Sequence, residues 1–333
     1  MSSAVVRTDS GAVLATSLVF RTNYRLDTSL PAGLRRPVAL LARLVPRMVE
    51  VPVLALGSPV LDRCPLGLPA TASPSERAQI LSSLLQGLEA EAQASGSDLI
   101  AVKDVGAREA SWADPVLRER RYARMASLPI AVLDLPYTNF DQYLHSLPTT
   151  VRSDLRRKMR QSAHSVHFTK CCKASNLPDE IAELYNSTRA NGQAEYGHFD
   201  ALAPRYVHEI IEAVKGTEVL LGWVGDQLVS FALILVTSEA AFAHQIGMRY
   251  PIARQKNLYF LNWIAAVRYC IERRIPRLEF GQTCYQTKIR LGCRLEPSLV
   301  YVRHRVPPFN AALRLCAPRF GFDRMEASLG PHY

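Results

Sequence analysis

With 333 residues, 48% of them hydrophobic and 21% charged, the chain is long enough for one large domain or two ordinary ones, and its composition excludes disorder and fibrous repeats. No stretch approaches the roughly 20 uninterrupted apolar residues that span a bilayer. Forty Lys plus Arg against 30 acidic residues gives a formal charge of +10, which favours anionic partners without choosing among CoA, tRNA, lipid or an acidic substrate.

In chain order, Arg7 and Asp9 sit where a secretory signal would build its apolar core, so a cytoplasmic product is expected. Residues 12–20 and 51–56 alternate in the manner of strands, separated by Pro-rich and Gly-rich connectors. Ser73, Pro74 and Glu76 carry the signature of a helix start, a capping box with proline at the first helical position. Leu81, Leu84, Leu85 and Leu88 follow at helical spacing up to Gly96, and residues 98–105 (DLIAVKDV) read as a strand.

The second half begins after Pro136, with a short helix over 140–147 stopped before Pro148. The basic segment 152–160 then places Arg152, Arg156 and Arg160 at i, i+4 and i+8, one guanidinium stripe on a helix, with Leu155 and Met159 on another. Such a stripe is either a solvated face or a phosphate or carboxylate reader. Helices are predicted over 179–189 and 206–214, then a three-stranded meander over 219–224, 228–237 and 241–249. A long helix over 257–274, a strand over 277–281, a short helix over 285–291 and a closing strand over 299–306 complete the pattern.

Both halves run strands, helix, strand, with LIAVKDV in the first occupying the place of LEFGQT in the second. The expected fold class is α/β with mixed sheets, a tandem of two related modules over residues 1–135 and 136–310 followed by a basic tail over 311–333. The alternative is one large mixed domain. Phe309, Leu313, Leu315 and Phe320 give the tail an amphipathic, basic character that suits either peripheral membrane contact or packing on the domain. Seven cysteines without C-x-x-C spacing read as reduced thiols, and scattered His198, His244 and His304 give no metal-ligand pattern, so no metal is expected.

Three segments carry a family resemblance: VLALGSPVLDRCPLG at 53–67, YLHSLPTTVRSDLRRKMRQ at 143–161, and LYFLNWIAAVRYCIERRIPRLEFGQTCYQTKIRLGCRLEP at 258–297. They resemble the Fem-like branch of the GNAT (acyl-CoA N-acyltransferase) superfamily, the FemAB-like or BioF2-like acetyltransferase domain. The resemblance implies tandem GNAT-like modules in a Fem-like architecture, the first degenerate and the second active, with acyl-CoA as co-substrate. It also implies that Arg254, Lys256, Asn257 and Leu258 hold the CoA. Typical GNAT loops read R-x-x-G-x-G/A, and here the arginine stands without the glycines that let backbone N–H groups approach a pyrophosphate. Side-chain charge from Arg254 and Lys256 would take over that role.

Acyl transfer from a thioester to an amine needs a proton for the departing thiolate and an acceptor for the amine's proton. Tyr285 stands where GNAT enzymes often carry the tyrosine acid. Lys288, one turn on, would bind substrate phosphate or carboxylate with Arg152, Arg156 and Arg160. Glu279, alternating with Leu278 and Phe280, would take the amine's proton or else pair with an arginine; His244 on the meander is a second base. The leading expectation is an N-acyltransferase working by direct attack in a ternary complex on a small-molecule or cell-envelope-precursor amine, with no specific nucleic acid. The alternatives are a Fem-type ligase that takes aminoacyl-tRNA, against which stands the lack of a heptad arm, and a GNAT-fold binding protein that has lost catalysis.

Overall fold

The computed structural model describes residues 2–8, 10–25, 50–171, 177–196, 203–317 and 321. They form two compact units, one of residues 1–130 with 296–333, the other of residues 131–295.

The first unit opens with strands β1 (Ser2–Arg7), β2 (Val13–Arg25) and β3 (Glu50–Leu56), helix α1 (Pro74–Ala94), strand β4 (Leu99–Gly106), helix α2 (Ala107–Glu119) and strand β5 (Ala123–Ala126). The start of α1 is the capping box expected from the sequence: Ser73 Oγ accepts the Glu76 N–H at 3.3 Å while Glu76 Oε2 accepts the Ser73 N–H at 2.7 Å. Helix α2 and strands β1 and β5 were not anticipated. Pro115 inside α2 and the four-residue length of β5 hide both from pattern reading.

The second unit contains β6 (Ile130–Asp134), α3 (Phe140–Ser146), α4 (Thr149–Ser162), β7 (His167–Cys171), α5 (Pro178–Tyr196), α6 (Pro204–Ala213) and the meander β8 (Thr217–Val224), β9 (Gln227–Val236) and β10 (Ala241–Met248). A short α7 (Ile252–Gln255), then α8 (Leu258–Glu272), β11 (Arg277–Glu279), α9 (Tyr285–Arg290) and β12 (Arg294–Glu296) follow. The chain ends, among the described residues, with β13 (Ser298–His304) and α10 (Pro307–Cys316).

The sheets run β1-β2-β3-β4-β13-β5 and β12-β6-β11-β10-β9-β8-β7. In each, an antiparallel meander leads through a helical crossover to a parallel neighbour: β3 to β4 through α1, and β10 to β11 through α7 and α8. The chain is thus a mixed α/β tandem of two units with the same order of meander, helical crossover and parallel strand. The strand expected to close the second module, over 299–306, instead lies in the first sheet between β4 and β5, while β6 lies in the second sheet between β11 and β12. The reason is burial: Leu299 and Tyr301 of β13 pack with Leu81, Leu85, Val102 and Leu117 of the first unit, where pairing partners and apolar side chains are both satisfied.

In the second unit, α3, α4 and α8 cover one face of the sheet, with Leu155, Trp263, Val267 and Leu278 in that core. Helices α5 and α6 cover the other, around Leu184, Val207, Phe231 and Leu233. Cys64, Cys270 and Cys293 are free thiols, and burial pushes all three up to about 12, which disfavours the reactive thiolate. No helix among the described residues is long and apolar enough to cross a membrane. Arg319, Phe320 and Arg324 of the basic tail, together with Cys172 and His198, lie outside the described residues.

Candidate active site

The site begins with a parallel strand pair that opens. Strand β10 is paired with β9 down to Met248, yet with β11 only at Ala241 opposite Leu278 and Phe242 opposite Glu279. Beyond that point the chain keeps only its pairing with β6, which runs along all of β11: Phe280 N–H donates to Ala131 O at 2.8 Å, and Ala131 N–H to Gly281 O at 3.0 Å. From Ala243 onward the outer edge of β10 has no strand beside it among the described residues, which leaves a row of backbone donors and acceptors along a slot. A bulge falls at the mouth of the slot, between Ala243 and Gln245, and the residue it leaves over is His244.

The far end of β10 is gripped by α5. Thr188 Oγ1 accepts the Met248 N–H at 2.7 Å, and a Cβ on Gly247 would sit 2.6 Å from the Tyr185 backbone nitrogen, so only glycine admits the helix so close. The chain then passes through α7 to Asn257, left-handed at φ 55°, and into α8. Asn257 O accepts the N–H groups of Phe260 (3.0 Å) and Leu261 (3.2 Å), which leaves those of Leu258 and Tyr259 pointing out of the helix N-terminus. Of the residues expected to hold CoA, Leu258 is fully buried, so its backbone alone faces outward; Arg254 is exposed, bonded to Asn191 Oδ1 at 2.9 Å; Lys256 is half-buried. All four gather at this one helix start.

On α4 the inward stripe is Val151, Leu155, Lys158 and Ser162. Arg152 and Arg156 lie beside it half-buried and Arg160 is exposed. The Arg152 guanidinium donates to His145 O at 3.3 Å and to Thr149 Oγ1 at 3.4 Å, so it closes the end of α3 as well as facing solvent. The cation that points inward is Lys158, which pattern reading passed over although it falls at i+7 from Val151. Its ammonium pairs with Asp154 and stands 4.0 Å above the Phe260 ring at the start of α8, and those bonds hold the Asp154 carboxyl below its ordinary range.

The turn between β11 and α9 holds three left-handed residues, Gly281 (φ 65°), Thr283 (φ 68°) and Cys284 (φ 51°). Lys288 stabilises it. Its buried Nζ donates to Phe280 O (2.6 Å), Gly281 O (3.2 Å) and Gln282 O (2.7 Å). Lys288 was expected to contact substrate; in the fold its ammonium is directed at three carbonyls and braces the turn. Tyr285 lies one turn away on the same short helix, fully buried. Glu279 is 6% exposed with Oε1 2.8 Å from Arg277 Nη2, the ion-paired alternative weighed for it.

Leu278 faces the α8 core, so Glu279 points to the opposite face of the sheet. His244 is on that face too: its Nε2 lies 2.8 Å from the Tyr206 hydroxyl of α6. Burial lowers the His244 pKa to about 4 and raises that of Tyr206, so both are neutral near pH 7. An imidazole and a carboxylate thus share one face where the strands part. Among the described residues no cluster of three or more His, Cys, Asp or Glu could hold a metal.

Residues 149–288, which run from the first turn of α4 to Lys288, match the family model described as Acetyltransferase (GNAT) domain. That segment of the chain resembles a GNAT domain. The chain's fold extends well beyond that match. FemX is similar over 94% of this chain and 90% of its own, with a TM-score of 0.58 at 12% identity. L-PGS from Bacillus licheniformis is similar over 95% and 90%, with a TM-score of 0.55 at 9% identity. The fold is of the Fem-like kind, and at such identity the likeness is one of fold alone. Among curated proteins no sequence matches the chain significantly.

Proposed function

We propose that the GNAT domain is an N-acyltransferase that moves an acyl group from acyl-CoA to an amine. The observation that carries this reading is the edge of β10, without a strand beside it from Ala243 among the described residues, followed in the chain by α7 and the N-terminus of α8. A pantetheine arm carries amides that can pair with the open strand edge, and a pyrophosphate is stabilised by the Leu258 and Tyr259 N–H groups with Arg254 and Lys256 beside them. Acceptor carboxylate or phosphate would be read by Arg152, Arg156 and Arg160. In the reaction the amine nitrogen attacks the thioester carbonyl carbon, the C–S bond breaks, and the thiolate takes the Tyr285 phenolic proton. The amine's proton passes to Glu279 or His244.

A thermal-shift titration with acetyl-CoA, longer acyl-CoAs and free CoA tests the donor. A ligand at 100 times its Kd adds about 2.7 kcal/mol of apparent stability. A shift with aminoacyl-tRNA but none with any CoA species would favour the ligase reading, which the FemX fold also suits. Tyr285→Phe should lower turnover by about ten- to a thousand-fold while the CoA-induced shift persists. Loss of the shift in that variant would make Tyr285 a packing residue.

A further inference from the structure

Helix α10 is packed inside out. Asn310 faces the first unit, 6% exposed, where its Oδ1 accepts the His304 N–H at 3.0 Å and its Nδ2 donates to Arg121 O at 3.0 Å. One helical repeat on, Ala317 is buried on the same side. The outward side therefore falls to Pro308, Phe309, Ala312, Leu315 and Cys316, none of them polar. Phe309 is 62% exposed and Leu315 72%. An ordinary surface helix has the reverse arrangement, with its amide in water and its hydrocarbon in the core.

The segment that carries this face is basic. From Pro297 to Phe322 the sequence contains no acidic residue and includes Arg303, Arg305, Arg314 and Arg319. Arg303 and Arg305 are compensated by Glu89 (2.6 Å) and Asp98 (3.0 Å). Arg314 on the helix and Arg121 beneath it are exposed, and neither has an ion-pair partner among the described residues. Exposed hydrocarbon flanked by uncompensated guanidinium groups suits a surface that is apolar within and negative at its rim, the profile of an anionic bilayer. A nucleic acid would satisfy the arginines and leave Phe309 and Leu315 in water.

We infer that α10 docks the protein on anionic lipid, with the apolar side chains in the acyl boundary and Arg121 and Arg314 at the headgroups. Sedimentation of the full chain with vesicles of phosphatidylcholine, with and without phosphatidylglycerol, tests this. Binding should require phosphatidylglycerol and weaken as salt rises. F309D with L315D should reduce the partition coefficient by at least about tenfold with little change in melting temperature, because both side chains are mostly exposed and the Phe309 ring meets His304 edge-on at 5.2 Å. R121E with R314E should abolish the preference for phosphatidylglycerol and leave the apolar face intact. Absence of binding, equal binding to pure phosphatidylcholine, or full binding by F309D with L315D overturns the inference. So does a dimer that those substitutions dissociate with no lipid bound, or binding of tRNA in place of vesicles.

Discussion

Replacing Lys288 by methionine removes an ammonium but keeps most of the side chain's length and volume. In the native fold that ammonium meets three carbonyls at 2.6, 3.2 and 2.7 Å, which converge because Gly281 turns left-handed between Phe280 and Gln282. Lys288 is 5% exposed, so water does not replace the lost bonds without opening the turn. Each unsatisfied buried acceptor costs about 1–3 kcal/mol, part of it offset because the lysine no longer has to be desolvated. A net loss of about 4 kcal/mol is expected, and in a unit of this size each kcal/mol moves the midpoint by about 2–4 °C. Differential scanning calorimetry should therefore place the Lys288→Met transition roughly 10 °C below wild type, with a matching drop in urea midpoint. Lys288→Arg should fall in between, since a planar fork cannot meet three carbonyls on one side. Because the same turn leads into Tyr285, CoA-induced stabilisation should be lost with the brace. A methionine variant that melts within about 2 °C of wild type and binds CoA normally would refute the argument that Lys288 holds the turn.

Two further changes probe the walls of the slot. His244, with its pKa lowered to about 4 by burial, binds its proton later in the folded than in the unfolded chain, so its contribution to stability is present above about pH 6.5 and is lost as pH falls toward 4. Urea titrations from pH 7 to 4 should show wild type losing up to about 3 kcal/mol more than His244→Gln, and parallel curves would mean that the imidazole is solvated. Gly247→Ala would drive a methyl group to 2.3 Å from Phe231 Cε1 and to 2.6 and 2.8 Å from the Tyr185 and Leu184 backbone, where nothing can rotate away. A cost of about 2–4 kcal/mol follows, readable as faster proteolysis within α5, and an unaltered digestion pattern would count against the close contact of α5 with β10.

The sequence by itself determined much of the local structure in both units. Capping residues, alternating strands and helical spacing are short-range signals, and α1, the β8–β10 meander and α8 follow from them. The resemblance carried by 143–161 and 258–297 pointed to the GNAT fold because those segments form the strand, turn and helix around the slot. Tertiary structure decided what lies between distant segments. That β13 completes the first sheet and β6 the second depends on which core has room for Tyr301 or Val132, which no local window reports. Lys288 is spaced like a substrate-binding lysine, yet its ammonium meets the carbonyls of a turn six to eight residues earlier, and only a left-handed Gly281 brings them within reach. His244 and Glu279 come to one face of the sheet because the register sets Phe242 opposite Glu279 and His244 follows two residues on. Patterning along a chain records which side of an element is apolar; which charged groups meet across elements is settled by pairing register and by the backbone conformations that packing holds in place.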